Sequence, residues 1–91
     1  MIEERVFKDQ AGREWIATVR EEDTPRHHSR WYLVFRPADA PDVEYPMHEI
    51  RWKTAESAAR IIATMSPMEL ERRLAIVRKR RGELLTGNSA R

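Results

Sequence analysis

The chain has 91 residues, 35% of them charged, with no cysteine and a formal net charge of +2. A chain of this length supports one domain with a small core, since it removes only about 60–65% of its extended surface from water, and the lack of cysteine excludes a disulfide framework and any thiolate metal site. No apolar run approaches the roughly 20 residues that span a bilayer, and the opening Met1-Ile2-Glu3-Glu4-Arg5 lacks the basic start and apolar middle of a secretion signal, so a cytoplasmic protein is expected.

Arg5-Val6-Phe7-Lys8 reads as a first strand, and Asp9-Gln10-Ala11-Gly12 as a turn whose glycine can take a positive φ. A second strand from Arg13 to about Arg20 puts Trp15, Ala17 and Val19 on one face. Glu14, Ile16, Thr18 and Arg20 fall on the other, the alternation of a sheet with one face on a core and one toward water. Glu21 to Ser29 is polar, contains Pro25 and has no periodicity, so it is a loop of the kind that often carries binding residues.

Arg30-Trp31-Tyr32-Leu33-Val34-Phe35-Arg36 is the longest β-favouring run, and its unbroken apolar middle predicts a central strand covered on both faces. Pro37 to Asp42 is a turn bracketed by two prolines. Val43, Tyr45 and Met47 then alternate with Glu44, Pro46 and His48 as a fourth strand. Pro46 cannot donate to a ladder, which sends that strand to the sheet edge or to a bulge.

Arg51-Trp52-Lys53 leads to a helix capped by Thr54, with Trp52 at the junction and Ala55, Ala58, Ala59, Ile62 and Met65 as its inward stripe. Ser66-Pro67-Met68-Glu69 combines a capping serine, proline at the first helical position and glutamate three after the cap. The helix it starts carries Leu70, Leu74 and Val77 on one stripe, acids Glu69 and Glu71 in its first turn and Arg78 to Arg81 in its last, with Gly82 as the stop. The order predicts an α+β domain over residues 1–82, an antiparallel meander of about four strands with two C-terminal helices on one face. Residues 83–91 are expected to form a mobile tail.

Enzyme chemistry needs a constellation that this chain does not assemble. Its three glycines, Gly12, Gly82 and Gly87, belong to no phosphate-cradling loop, and no serine sits in a nucleophile elbow. No enzyme activity and no cofactor are expected. His27, His28 and His48, with Asp23 or Glu49 as oxygen donors, are the sole set of metal-ligating types, but their spacing matches no zinc pattern and solvated loop histidines account for them; no metal is expected.

Charge is unevenly divided. Seven Lys/Arg stand against eleven Asp/Glu up to Ile50, and ten against four from Arg51 onward. This asymmetry fits either a nucleic-acid face on the second half or attraction between the halves when they pack. Arg72, Arg73, Arg78, Lys79, Arg80 and Arg81 spread around the second helix at 100° per residue, and Arg81 prolongs the apolar stripe, so the last turn is expected to project past the core. A projecting cationic turn can hold phosphates; equally, basic residues there complement the helix dipole. Tyr32 and Trp52 would add base stacking if both lay on the sheet face away from the helices.

The segments Phe7 to Trp15, Trp31 to Phe35 and Met65 to Leu70 together resemble short uncharacterised bacterial proteins with an F-x-D-x-x-G-x-x-W hairpin, a W-L-V-F strand and an L-S-x-x-E-L helix. That resemblance implies a bacterial source and carries over no activity. The strand-strand-strand-strand-helix order and the Gly12-Arg13 hairpin also resemble the PUR family of single-stranded nucleic-acid binders, although the second helix departs from it.

The expectation is a small binding or adaptor domain, an accessory subunit that docks on a protein partner or on a second copy. Nucleic-acid binding through the basic helix end is the alternative. The contacts expected in either case are Arg73, Arg78, Lys79, Arg80 and Arg81, with Leu84 and Leu85 as an apolar docking pair and the Asp23 to Ser29 loop as a second surface.

Overall fold

A computed structural model describes residues 4–22 and 30–82. Strands β1 (Arg5–Lys8), β2 (Glu14–Glu22), β3 (Arg30–Pro37) and β4 (Tyr45–Trp52) pair antiparallel in the order β1-β2-β3-β4, and helices α1 (Ala55–Thr64) and α2 (Pro67–Arg80) follow. This is the expected α+β meander with both helices on one face. The Asp23 to Ser29 loop and the tail from Glu83, including Leu84 and Leu85, lie outside the described residues.

The β1–β2 turn follows from Asp9 and Gly12. Asp9 Oδ1 accepts from the Ala11 and Arg13 amides at 2.9 and 3.0 Å, and the Gly12 amide closes on the Asp9 carbonyl with φ at +87°. Core side chains come from one face of the sheet: Phe7, Trp15, Ala17, Val19, Leu33, Phe35, Tyr45 and Met47 meet Ala58 and Ile62 of α1 and Leu70, Leu74 and Val77 of α2. Ring edges set the packing, with Phe7 against Phe35 at 5.9 Å and Trp15 against Tyr45 at 5.3 Å, both near perpendicular. Helix α1 lies on β2, β3 and β4, whereas α2 reaches β1 and β4.

Both helix starts are capped as expected: Thr54 Oγ1 accepts from the Ser57 amide and Ser66 Oγ from the Glu69 amide. The end of α1 is closed by a residue far away in sequence. Arg5 Nη1 donates to the carbonyls of Ile62, Ala63 and Met65 at 2.9–3.0 Å, serving the orphan acceptors at the helix end and joining the Met65 amide, which also donates to the Ile62 carbonyl.

β4 is the edge strand, as Pro46 predicts, and it also carries an irregularity after Met47, away from Pro46, which pairs with Val34. The ladder skips from Leu33↔Met47 to Tyr32↔Arg51, leaving His48, Glu49 and Ile50 as a bulge. Two other expectations need correction. Trp52 therefore belongs to β4 and pairs with Trp31, rather than standing in a lead-in to α1. Finally, the second face of β2 is not simply solvated, since Thr18 is buried there, while its neighbour Val34 is buried on that face as expected of a central strand covered on both sides. An Arg20–Glu44 ion pair joins β2 to the start of β4, and β3 lies between those two strands, so the pair crosses above Val34. Charged stems thus cover the central strand on a face where no helix or second sheet lies among the described residues.

Candidate functional site

The β1–β2 turn and α2 meet at Trp15. Its indole N–H donates to Asp9 Oδ2 at 2.9 Å, and its ring lies under the guanidinium groups of Arg13 and Arg78 at 5.1 and 5.3 Å. Arg78 also reaches Asp9 Oδ2 at 3.5 Å. Burial pushes the Asp9 carboxyl up, but hydrogen bonds from Trp15, Arg13 and Ala11, with the Arg78 charge, outweigh it and hold Asp9 below the ordinary carboxylate value.

The other cations at the end of α2 are placed in a similar way. Arg81 donates to the Glu44 carbonyl at 2.8 Å with its guanidinium 4.4 Å from the Tyr45 ring centre. Arg80 pairs with Glu49 on the β4 bulge and pulls that carboxyl down to about 2. Arg73 pairs with Glu69 one turn earlier on its own helix. The last turn therefore does not project past the core; Trp15 and Tyr45 present ring faces, and Asp9 and Glu49 charges, that draw it onto the sheet. Of the two explanations for the charge asymmetry, attraction between the halves is the one realised in these contacts. Lys79 is exposed, as is Arg72, and neither makes an ion pair among the described residues.

Beside this junction runs a groove of about 540 Å³. Asp9, Gln10 and Ala11 form one wall, and Met68, Glu71, Arg72, Leu74, Ala75 and Arg78 of α2 the other. Met68 is the most exposed large apolar residue described, at 69%. On a helix with about 100° per residue, Met68, Glu71, Arg72 and Ala75 fall within about 100° of arc, a flank adjoining the buried Leu70-Leu74-Val77 stripe. No sequence pattern marks the groove, because its second wall is a hairpin turn some 60 residues away; Met68, apolar and exposed in an otherwise capped first turn, is the one local signal.

The remaining candidate groups are dispersed. Tyr32 and Trp52 lie on opposite faces: Trp52 packs beside Trp31 against the core, while Tyr32 stacks on His48 at 4.4 Å on the far face. They form no common stacking platform. That far face is crossed by the Arg36–Glu4, Arg20–Glu44 and Arg51–Glu22 pairs. Among the described residues no group of three or more His, Asp or Glu converges on a metal position. His48 is engaged with Tyr32 and Glu49 with Arg80, while Asp23, His27 and His28 lie outside the described residues. No described helix is long and apolar enough to cross a membrane.

No protein-family model matches this sequence, and neither a curated protein nor a solved structure matches it.

Proposed function

We propose that this chain is a small non-enzymatic protein-binding module, an adaptor or accessory subunit, and that it takes its partner in the groove between the β1–β2 turn and α2. The observation that carries this reading is the groove itself, with Met68 exposed on its wall and Leu74 and Ala75 beside it. An exposed methionine adaptable in shape is suited to a protein surface rather than to a phosphate backbone.

Nucleic-acid binding draws less support from the same geometry. Arg73, Arg78, Arg80 and Arg81 are matched by Glu69, Asp9, Glu49 and the Glu44 carbonyl with Tyr45. A nucleic-acid ligand would have to compete for them, leaving Arg72 and Lys79 as the cations of α2 ready for phosphates.

A photo-crosslinking residue placed at Met68, with a control at Val6 on the opposite sheet face, tests the reading in cells expressing the full chain. Protein adducts at position 68 and none at position 6 are expected; Val6 is 59% exposed, so accessibility alone cannot produce that difference. Equal labelling at both positions, or oligonucleotide binding that persists at physiological salt and is lost in Arg72→Glu with Lys79→Glu, would sink it. Arg78→Glu and Arg81→Glu are unsuitable for this purpose because both arginines hold α2 to the sheet.

A further inference from the structure

We infer that the partner segment is an acidic amphipathic helix, which lies along α2 with its apolar side chains on Met68, Ala75 and Ile76 and its carboxylates on Arg72 and Lys79. This rests on the protein-binding reading and names the chemistry of the occupant, which extends from the groove residues Met68, Arg72 and Ala75 onto Ile76 and Lys79 beside the groove.

The outward stripe of α2 alternates apolar and cationic residues at helical spacing: Met68, Arg72, Ala75 with Ile76, and Lys79. All five are exposed. A period of three and four residues is what a second helix laid alongside reads, with anchors at i, i+3 or i+4, and i+7. Ala75 at the middle lets the two backbones approach, while Met68 and Ile76 supply apolar area on either side.

Charge selects the partner. The folded chain supplies acids or carbonyls for Arg73, Arg78, Arg80 and Arg81, yet Arg72 and Lys79 have no ion pair among the described residues. Both lie on the stripe, about 10 Å apart along the axis at 1.5 Å per residue. Two like charges flanking apolar anchors favour an acidic occupant and repel a basic one. Glu71 and Arg72 both line the groove, but Glu71 lies about 100° round the helix from Arg72, on the flank next to the buried Leu74. An acidic helix must therefore turn its carboxylates to the Arg72–Lys79 side and keep the side facing Glu71 neutral or basic, which fixes its orientation about its own axis.

The test uses two synthetic helical peptides of about 15 residues, each with leucine at every third or fourth position. One carries glutamate beside the leucines and the other lysine at the same places. Each is titrated into the isotope-labelled full chain with amide shifts as the readout. The glutamate peptide is expected to shift Met68, Arg72, Ala75, Ile76 and Lys79 and to leave the far sheet face unmoved, while the lysine peptide leaves all of them unmoved. In the exposed double variant Arg72→Glu with Lys79→Glu, the preference should invert, with at least about a tenfold loss for the glutamate peptide.

Equal response to both peptides, or shifts that miss α2, overturns the acidic-helix assignment. So does an oligonucleotide that produces the same shifts as the glutamate peptide at physiological salt, or concentration-dependent pairing of the chain that buries the same amides before any peptide is added. Position-68 adducts in cells would stand or fall separately, so failure of the acidic occupant is distinguishable from failure of protein binding itself.

Discussion

At the scale of single residues, Asp9 has more structural work than its exposed-looking turn suggests. One carboxylate closes the β1–β2 turn through two amides, holds the Trp15 indole and meets Arg78 from α2. Asp9→Ala removes all of these together and leaves the indole N–H without its acceptor. A loss of about 2–3 kcal/mol is expected, read as a lower urea midpoint with an unchanged slope. Gly12 in the same turn separates conformation from contact. A Cβ there meets nothing within 4 Å, so its φ of +87° is the whole obstacle to a side chain. Gly12→Ala should cost about 1–2 kcal/mol; a neutral result would mean the turn relaxes to another type.

At the scale of elements, legibility in the sequence tracks how local the cause is. The Thr54 and Ser66 caps, the Leu70-Leu74-Val77 stripe and the Trp15-Ala17-Val19 alternation depend on neighbours within one or two turns, and each is realised. What stayed hidden depends on register and reach. The bulge at His48 to Ile50 arises only when β4 is aligned on β3. Trp52 looks like a helix lead-in until Trp31 is set opposite it, and the cationic last turn looks projecting until the rings of Trp15 and Tyr45 are brought under it. The groove has the same origin, since no periodicity links Gln10 and Ala11 to Met68. Arg5 is the sharpest case. From sequence it is the first residue of a short strand, yet it caps α1 across 57 to 60 positions. Arg5→Met keeps the stem and deletes the donors. About 1–3 kcal/mol of stability should be lost, with faster amide exchange confined first to the last turn of α1. A uniform rise in exchange over the whole chain, without that local excess, would argue that Arg5 acts through the sheet instead.

At the scale of the whole molecule, an acidic first half and a basic second half close on each other, and this ties stability to acid. Asp9 and Glu49 both have carboxyl values lowered in the fold, from ordinary values of 3.8 and 4.5. A carboxyl lowered on folding contributes fully above its ordinary value, and that contribution is lost as pH falls through the folded one. Urea midpoints should therefore be nearly level from pH 7 to about 5 and fall below about 4.5. The two groups should not share the effect equally. Glu49 is 46% exposed, so water and salt screen its pairing with Arg80, and Glu49→Gln should alter the acid limb little at physiological salt. Asp9 is 12% exposed and held by three hydrogen-bond donors and the Arg78 charge, so Asp9→Asn should flatten the limb as well as lower the plateau. An acid limb as steep in Asp9→Asn as in the parent chain would place the proton uptake elsewhere. The junction of turn, Trp15 and α2 would then be held by ring and core packing, with its carboxylate only a local turn-former.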